Sequence, residues 1–385
     1  MSSRALAPVR RAVPLRRGHT QRGQDALARM LGAAQVWLYR SGTDALQAVL
    51  SHCAVRCQGT LRSQVILPAY GCPDLVTACV GAGLQPCLVD VDADGWGYSG
   101  VALAAALSDR VAAVVAVNLL GLGDDTRRLR ALISDPQIAL VQDSAQYLPR
   151  TSVHWPGDFQ TFSFGRGKPL NLLGGGAATV APPVGSSPGK SLRATVMGSR
   201  LAAVLFNLAT APMAYGLSRR LPGLGIGTTC YRDPEPVQAA PERLGRQLDA
   251  ALPEWVRQSS YDAGAWMQPL ARWQAHGIAA YAAADGSGAS RESLRLALLA
   301  PSAQMRDVLV ERLARAGLGA TALYATALPN ATGMPDSIRV QGPFPHAEQL
   351  ARRLFTLPTH AGTTAATIQR TDQIVREVAA MRHVS

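Results

Sequence analysis

A lysine stands between glycines in the segment TFSFGRGKPLNLLGGG (161–176), in a chain that otherwise avoids lysine. Only Lys168 and Lys190 are lysines among 38 basic residues, and the others are arginines. A lysine amine can lose its proton when it is desolvated and then attack a carbonyl carbon, whereas a guanidinium stays protonated. Lys168 is therefore a candidate for covalent chemistry that arginine could not perform.

Two other stretches offer groups that could assist such a lysine. Ser-Gly-Thr at 41–43 opens an amphipathic segment. A helix start offers free N–H groups and hydroxyls to a phosphate, although Ser or Thr is also an ordinary helix cap. Asp143 ends the apolar run IALVQDSAQ, where a poorly hydrated carboxylate could pair with a cationic ring nitrogen or simply cap a helix. Ser163 adds a hydroxyl, and the glycines at 165, 167 and 174–176 are expected to let the backbone pass close to a flat ligand.

Other chemistries fit the residues less well. The lysine segment is not a nucleotide P-loop, because Phe162 occupies the place of the first glycine and Pro169 that of the magnesium-binding Ser or Thr. The six cysteines lack paired C-x-x-C spacing and no zinc-type set follows, so we expect no metal and a reduced, cytoplasmic protein. Phosphate-binding hydroxyls, a buried carboxylate and a nucleophilic lysine are together what pyridoxal phosphate requires.

The elements that must position these residues follow from the apolar pattern. A chain of 385 residues, 48% of them apolar, can bury a large core. From about 34 to 180, β-rich apolar runs alternate with amphipathic segments, which predicts strand–helix–strand units and a mostly parallel sheet. The runs are VILPA (65–69), PCLVDVD (86–92), VAAVVAVNLLG (111–121), IALVQDSAQ (138–146), QTFSF (160–164) and GGAATVA (175–181). We predict a large domain over 25–255 and a smaller α/β domain over 256–385.

The charge pattern leaves the partners of the protein open. A formal charge of +12 favours an acidic ligand, a nucleic acid or an anionic membrane surface. Residues 1–24 carry six arginines and no acid, and we expect a solvated basic arm, with a transit peptide as the alternative. An apolar insert near 190–225 contains the run 201–217. It is expected to form a buried or surface-packed helix pair, and contact of 193–220 with a membrane surface is the alternative.

In this order the motifs resemble those of the DegT/StrS-type sugar aminotransferases, which are fold-type I pyridoxal phosphate enzymes. The resemblance covers most of the chain. The similar segments are SGTDAL (41–46), LPAYGCPDLVTACVGAGLQPCLVDVD (67–92), QDSAQ (142–146), GDFQTFSFGRGK (157–168) and FPHAEQLARRLFTLPTH (344–360). This resemblance implies an α/β fold: a three-layer, aspartate aminotransferase-like large domain that binds the cofactor, followed by a smaller C-terminal α/β domain.

The resemblance also implies roles for individual residues. Lys168 would bind the cofactor covalently and then carry the proton at the substrate carbon. Asp143 would pair with the pyridinium nitrogen, and Gln146 would lie near the ring hydroxyl. The phosphate-binding residues implied are Gly42, Thr43 and Ser163. Cys72 stands where the family has an aromatic residue stacked on the ring.

The implied protein is a homodimeric pyridoxal phosphate aminotransferase without a nucleic-acid partner. It would move an amino group from an amino acid, with glutamate as the expected donor, to a keto group of a nucleotide-linked sugar or related metabolite. The sequence departs from the family at Cys72, at Asn118 in place of histidine, and at 230–240, which lacks the family's asparagine. Two alternatives therefore stay open: the same cofactor with a different reaction or a non-sugar carbonyl, or a non-catalytic binding or regulatory protein.

Overall fold

The computed structural model describes residues 5–14, 18–93, 97–151, 157–180, 200–211, 230–257, 263–281, 293–336, 338–340, 342–360 and 362–381. Its strands are β1 (Trp37–Tyr39), β2 (Gln64–Pro68), β3 (Gln85–Val89), β4 (Val111–Leu119), β5 (Leu122–Gly123), β6 (Ala139–Ser144), β7 (Phe159–Ser163), β8 (Gly176–Ala178), β9 (Ala279–Ala280), β10 (Arg295–Leu299), β11 (Arg339–Val340) and β12 (Leu354–Pro358). Its α-helices are α1 (Thr20–Met30), α2 (Gly42–Arg56), α3 (Asp74–Gly81), α4 (Gly100–Ala106), α5 (Thr126–Leu132), α6 (Arg200–Ala209), α7 (Arg243–Arg257), α8 (Met267–Gln274), α9 (Ala303–Arg315), α10 (Pro345–Arg353) and α11 (Ala365–Ala380).

The large sheet has the strand order β1-β8-β7-β6-β4-β2-β3-β11, with β5 paired to β4. The strands from β7 to β11 in this order run parallel, and β8 is antiparallel to both β7 and β1. The mostly parallel sheet predicted from the apolar runs is confirmed. The chain turns back within the lysine segment, at residues 164–175, so β8 returns antiparallel to β7.

Helices cover both faces of this sheet. Along β2, Val65 and Leu67 belong to one buried cluster and Ile66 to another, because successive side chains point to opposite faces. The same alternation divides β4 between the two clusters. Strands that are buried on both faces need apolar side chains at every position, which explains the continuous runs in the sequence.

A smaller antiparallel sheet has the order β12-β10-β9 and packs against α8, α9 and α11. Its core contains Trp266 and Trp273, and the Trp273 indole donates a hydrogen bond of 3.0 Å to Asp372. Ser302 caps α9 by accepting from the Met305 N–H. The chain between α9 and α10 then returns to the large sheet, where β11 pairs with β3.

The described part of the N-terminal arm packs on the protein, which differs from the solvated tail that we expected. The Ala7 carbonyl oxygen lies 2.8 Å from Nε2 of His360, and the Val13 N–H donates to the Asn171 carbonyl at 2.9 Å. Helix α1 begins at Thr20 and packs against α7. The basic composition of the arm therefore does not prevent it from joining the fold.

The apolar insert is represented by α6, since 181–199 and 212–229 lie outside the described residues. Ala203 is buried on Ala12 and Leu173, and Asn207 exchanges two hydrogen bonds with the backbone of Ala12. One face of α6 thus packs on the arm, as expected for a surface helix. Among the helices formed by the described residues, none is long and apolar enough to cross a membrane.

Candidate active site

Three neighbouring parallel strands bring the predicted polar residues to one edge of the large sheet. Asn118 lies near the carboxyl end of β4, Asp143 near that of β6 and Ser163 at that of β7. The register pairs Val117 with Asp143 and Asp143 with Thr161, so these ends are level. In open α/β sheets, ligands bind outside the carboxyl ends of the strands.

A cavity of about 220 Å³ opens at this edge. The seven cofactor residues predicted from the sequence all line it: Gly42, Thr43, Cys72, Asp143, Gln146, Ser163 and Lys168. They come from widely separated segments of the chain, and only the fold brings them together. The cavity is also lined by Asn118, Asp74 and Tyr324, to which the sequence analysis assigned no role in binding a cofactor.

Asp143 is a buried carboxylate held by two hydrogen bonds. Its Oδ1 accepts from the Ala145 N–H at 3.0 Å and from the Thr161 hydroxyl at 3.2 Å. Burial raises the pKa of Asp143, while the Ala145 N–H, the charge of Lys168 and the Thr161 hydroxyl oppose this shift. A cationic ring nitrogen beside this carboxylate would supply a positive charge to pair with its ionised form.

Lys168 lies in the loop between β7 and β8. Its backbone N–H donates to the Gly165 carbonyl at 3.3 Å. Gly167 has φ of +75°, a backbone conformation that favours glycine. The glycines before Lys168 therefore shape the turn that carries it into the cavity. Lys190, the other lysine of the chain, lies outside the described residues.

The Ser-Gly-Thr turn (41–43) and Ser163 approach each other closely because residue 42 is glycine. Ser41 caps α2 by accepting from the Asp44 N–H at 3.0 Å. A Cβ added to Gly42 would lie 2.6 Å from the Ser163 Cβ and 2.9 Å from its Oγ. Only glycine lets a helix N-terminus and this hydroxyl face the same small volume, an arrangement suited to an anion.

The triple glycine has a different role from the one that we expected. A Cβ on Gly176 would collide with the Ser41 carbonyl, and a Cβ on Gly175 would meet Leu244 at 2.7 Å. Gly175 also has φ of +100°. These two glycines therefore allow close packing of the protein on itself, and the expected close approach to a flat ligand is wrong for them.

Asp44 was missed by the sequence analysis. Its carboxylate is buried in the first turn of α2, where Arg40 contacts it at 3.1 Å and the Ser41 hydroxyl also donates to it. Arg40 in turn contacts Glu235 at 2.7 Å. The charge of Asp44 next to the anion site is thus balanced within the chain. The dipeptide Thr-Asp after Ser-Gly is the signal that could have identified an acidic first turn.

Tyr324 brings an aromatic ring to a cavity in which Cys72 replaces the expected aromatic residue. The Gln146 side chain links it to the strand ends: Nε2 donates to the Tyr324 hydroxyl at 3.0 Å, and Oε1 accepts from the Leu120 N–H at 2.9 Å. Burial raises the pKa of the Cys72 thiol to about 12, so this group is neutral near pH 7. The sequence pattern of strands and helices does not identify Tyr324 as a cavity residue, because it lies outside any helix or strand.

Tyr70, which lies two residues before Cys72, packs against Tyr324. It does not appear among the cavity-lining residues, its ring meets that of Tyr324 edge-on with centroids 5.8 Å apart, and its hydroxyl donates to the Tyr324 carbonyl at 3.1 Å. Asn118 lines the cavity and donates to the Ser144 hydroxyl at 2.7 Å. The cavity wall is therefore a connected set of polar and aromatic groups.

These residues fit pyridoxal phosphate. A carboxylate for a ring nitrogen, a lysine for an aldehyde, and a helix N-terminus with two hydroxyls for a phosphate face one cavity. The site requires no metal to account for these groups. The arrangement can bind an anionic aromatic aldehyde and place an amine beside it.

A sequence profile of the DegT/DnrJ/EryC1/StrS aminotransferase family matches residues 15–198 and 244–376. The 3-amino-5-hydroxybenzoate synthase of Amycolatopsis mediterranei is 32% identical over 158 residues, which are 39% of this chain and 39% of that protein. The L-glutamine:2-deoxy-scyllo-inosose aminotransferase of Streptomyces kanamyceticus is also 32% identical over 158 residues, 40% of this chain and 36% of that one. The chain thus matches less than half the length of these curated relatives.

Solved structures share the fold along nearly the whole chain. DesV of S. venezuelae has a TM-score of 0.69 and 21% identity, covering 94% of this chain and 89% of its own. The E. coli GDP-4-keto-6-deoxy-D-mannose-3-dehydratase, solved with bound hydrated PLP, has a TM-score of 0.67 and 17% identity, covering 92% and 91%. The predicted fold class, with its large three-layer domain of the PLP-dependent transferase type, is confirmed.

Proposed function

Because the chain belongs to the DegT/DnrJ/EryC1/StrS aminotransferase family, we propose that it is a pyridoxal phosphate-dependent aminotransferase. It moves an amino group from an amino acid to a keto group of a nucleotide-linked sugar or a related metabolite. The observation that carries this proposal is the meeting of Lys168, Asp143 and the Gly42–Ser163 contact in one cavity. Each serves a different part of the same cofactor.

The residues divide the work of binding. Gly42, Thr43 and Ser163 hold the phosphate at the start of α2, and Asp143 fixes a proton on the ring nitrogen. At about 4 Å and an effective dielectric near 20, such an ion pair is worth on the order of 4 kcal/mol before desolvation. Lys168 binds the aldehyde carbon covalently. When bound, the cofactor supplies an electron sink for the carbanion formed next to the amino group.

The same residues then control the proton. Once free of the aldehyde carbon, the Lys168 amine would be placed to take up the proton released from the substrate carbon and to return it. Asp143 would favour the protonated ring nitrogen, because a buried carboxylate stabilises a cation beside it. Gln146 is tied to Leu120 and Tyr324, so it holds the Tyr324 hydroxyl toward the cavity.

The substrate class follows from the relatives. One relative is an L-glutamine:2-deoxy-scyllo-inosose aminotransferase, which uses L-glutamine as amino donor and a keto cyclitol as acceptor. Another is a UDP-N-acetyl-3-dehydro-alpha-D-glucosamine 3-aminotransferase. We expect glutamate as donor in this chain, and glutamine is the donor to test against it. Keto sugars and keto cyclitols are the acceptors to test first.

A homodimer in the cytoplasm is part of the proposal. The segment 230–240 resembles the one that enters the partner's site in the family, although it lacks the asparagine. A second cavity of about 540 Å³ adjoins the first, and both are lined by Ser41, Thr43 and Asp74. This second cavity is lined by residues of both charges, which are Arg40, Arg232, Arg243, Asp44, Asp74, Asp233 and Glu235. The six cysteines are free thiols, as a reducing compartment favours.

A different reaction with the same cofactor is the second candidate. The fold is shared with a dehydratase that acts on a keto sugar nucleotide, and Cys72 and Asn118 depart from the aminotransferase pattern. The two candidates differ in the first half-reaction. An aminotransferase converts the bound cofactor to its amine form with glutamate or glutamine alone, whereas failure with every amino acid would favour the second candidate.

Borohydride trapping tests the covalent role of Lys168. Protein loaded with pyridoxal phosphate should absorb at about 400–430 nm, as imines of this cofactor do. Reduction should fix the cofactor mass on the Lys168 peptide. Lys168→Ala should lose the band, the label and turnover, while Lys190→Ala keeps all three. Label on Lys190, or none on any lysine, would refute the proposal.

A further inference from the structure

Helix α6 presents an apolar face that the arm does not cover. Leu201, Val204, Leu205 and Leu208 follow the i, i+3, i+4, i+7 spacing of one helix face, and each is between 46% and 66% exposed. On the opposite face, Ala203 and Asn207 attach the helix to Ala12. The apolar side chains therefore do not belong to the packing contact that holds α6 in place.

The sequence on both sides of this helix carries charges of one sign. Between Asp158 and Asp233 the sequence contains no acidic residue. The basic residues within that interval are Arg166, Lys168, Lys190, Arg193, Arg200, Arg219, Arg220 and Arg232. Arg200 begins α6, and the arm that packs on the helix contributes Arg10 and Arg11 beside Ala12. An apolar helix face flanked by cations matches an anionic lipid surface in both chemistry and charge.

We propose that α6 and the arm beside it dock this protein on an anionic membrane surface. The four apolar side chains enter the boundary between headgroups and acyl chains, and the arginines contact the headgroup phosphates. The helix lies along the surface, since ten residues are too few to cross a bilayer. Docking at this position is independent of the cofactor, because none of the four apolar side chains lines the cofactor cavity.

This surface lies close to the catalytic loop. Thr210 directly follows α6 and Pro169 directly follows Lys168, and both line a third cavity of about 590 Å³. Arg10, Arg11, His360 and Glu254 also line it. A membrane bound by α6 would thus lie beside a cavity that reaches the residue next to Lys168, which suits an acceptor carried at the lipid surface.

Vesicle flotation of the full-length protein loaded with cofactor tests the docking. We expect the protein to float with phosphatidylcholine vesicles that contain a quarter phosphatidylglycerol, and at least about tenfold less with pure phosphatidylcholine. Raising the salt concentration should weaken binding, because the headgroup contacts are screened. Leu205→Asp/Leu208→Asp should lower binding at least about tenfold by placing charge on the apolar face.

The matched control is Leu61→Asp/Val101→Asp, which adds the same charge at two exposed apolar residues outside α6. It should float like the wild type. The cofactor absorbance of each variant reports folding, and Leu205→Ser/Leu208→Ser replaces the aspartate pair if that pair misfolds. Absence of flotation, or equal loss in both aspartate pairs, would overturn the proposal. A change of oligomeric state in the α6 variant alone would show instead that a second copy covers this face.

Discussion

The cofactor cavity differs from the arm–α6 surface, meaning residues 5–14 with α6, in how firmly its side chains are held by hydrogen bonds. In the cavity, Asp143 and Gln146 are tied by hydrogen bonds to the strand ends and loops around them. On the arm–α6 surface, apolar side chains stay exposed and Asn207 supplies the described side-chain hydrogen bonds between the two parts. Several elements hold each of these two side chains in the cavity, whereas the arm–α6 surface depends on a few contacts.

Asp143→Asn should have the largest effect on the cavity. Asparagine keeps the shape and can still accept from Ala145, but it cannot neutralise a ring cation, so kcat/KM should fall at least about a hundredfold. Thr161→Val, which removes a hydrogen bond to Asp143 and leaves the charge, should cost much less. Similar losses in both variants would show that geometry, and not charge, is what Asp143 provides.

The same variant has an opposite effect on the cofactor-free protein. The folded-state pKa of Asp143 is raised by burial, so its ionisation destabilises the fold as the pH rises through that pKa. Asp143→Asn should therefore raise the Tm of the cofactor-free protein at pH 8, and the gain should vanish as the pH falls toward about 4. Thermal unfolding across this pH range measures the difference, and a constant difference would contradict it.

Gly42→Ala should have an intermediate effect. The added methyl group would lie 2.6 Å from the Ser163 Cβ, which forces α2 and β7 apart. We expect a loss of about 1–3 kcal/mol in the free energy of unfolding and weaker cofactor binding. Gly100→Ala is the control, since its Cβ would meet Arg128 at an ordinary 3.7 Å. Gly42→Ala/Ser163→Gly should recover stability but not cofactor affinity.

Asn207→Ala should have the smallest effect and leave the cavity unchanged. Loss of the two hydrogen bonds to Ala12 should cost about 1–2 kcal/mol and raise hydrogen exchange in residues 5–14. The neighbouring Leu208→Ala removes no hydrogen bond to the arm and should leave that exchange unchanged. A changed cofactor spectrum in Asn207→Ala would show that the arm and the cavity are coupled, against the contrast drawn between them.

The parallel part of the sheet was predictable because its strands are buried on both faces. The apolar runs that became β2, β3, β4, β6 and β7 agree with these strands to within one to three residues at each end. The pairing of β11 with β3 was not predictable, because two residues give no periodic pattern. The packing of the arm was also missed, since arginine-rich composition indicates exposure while its contacts use backbone groups and small side chains such as Ala12.

Some features of the candidate site were likewise predictable from the sequence, and others were not. The sequence by itself determined which chemistry is available, because Lys168, Asp143 and the Ser-Gly-Thr turn carry it in their side-chain types and local spacing. Only the tertiary structure decided that Tyr324 shares their cavity, that Arg40 balances Asp44, and that two of the later glycines serve packing. Those outcomes depend on distances between segments remote in the chain, and such distances are set by how the layers pack.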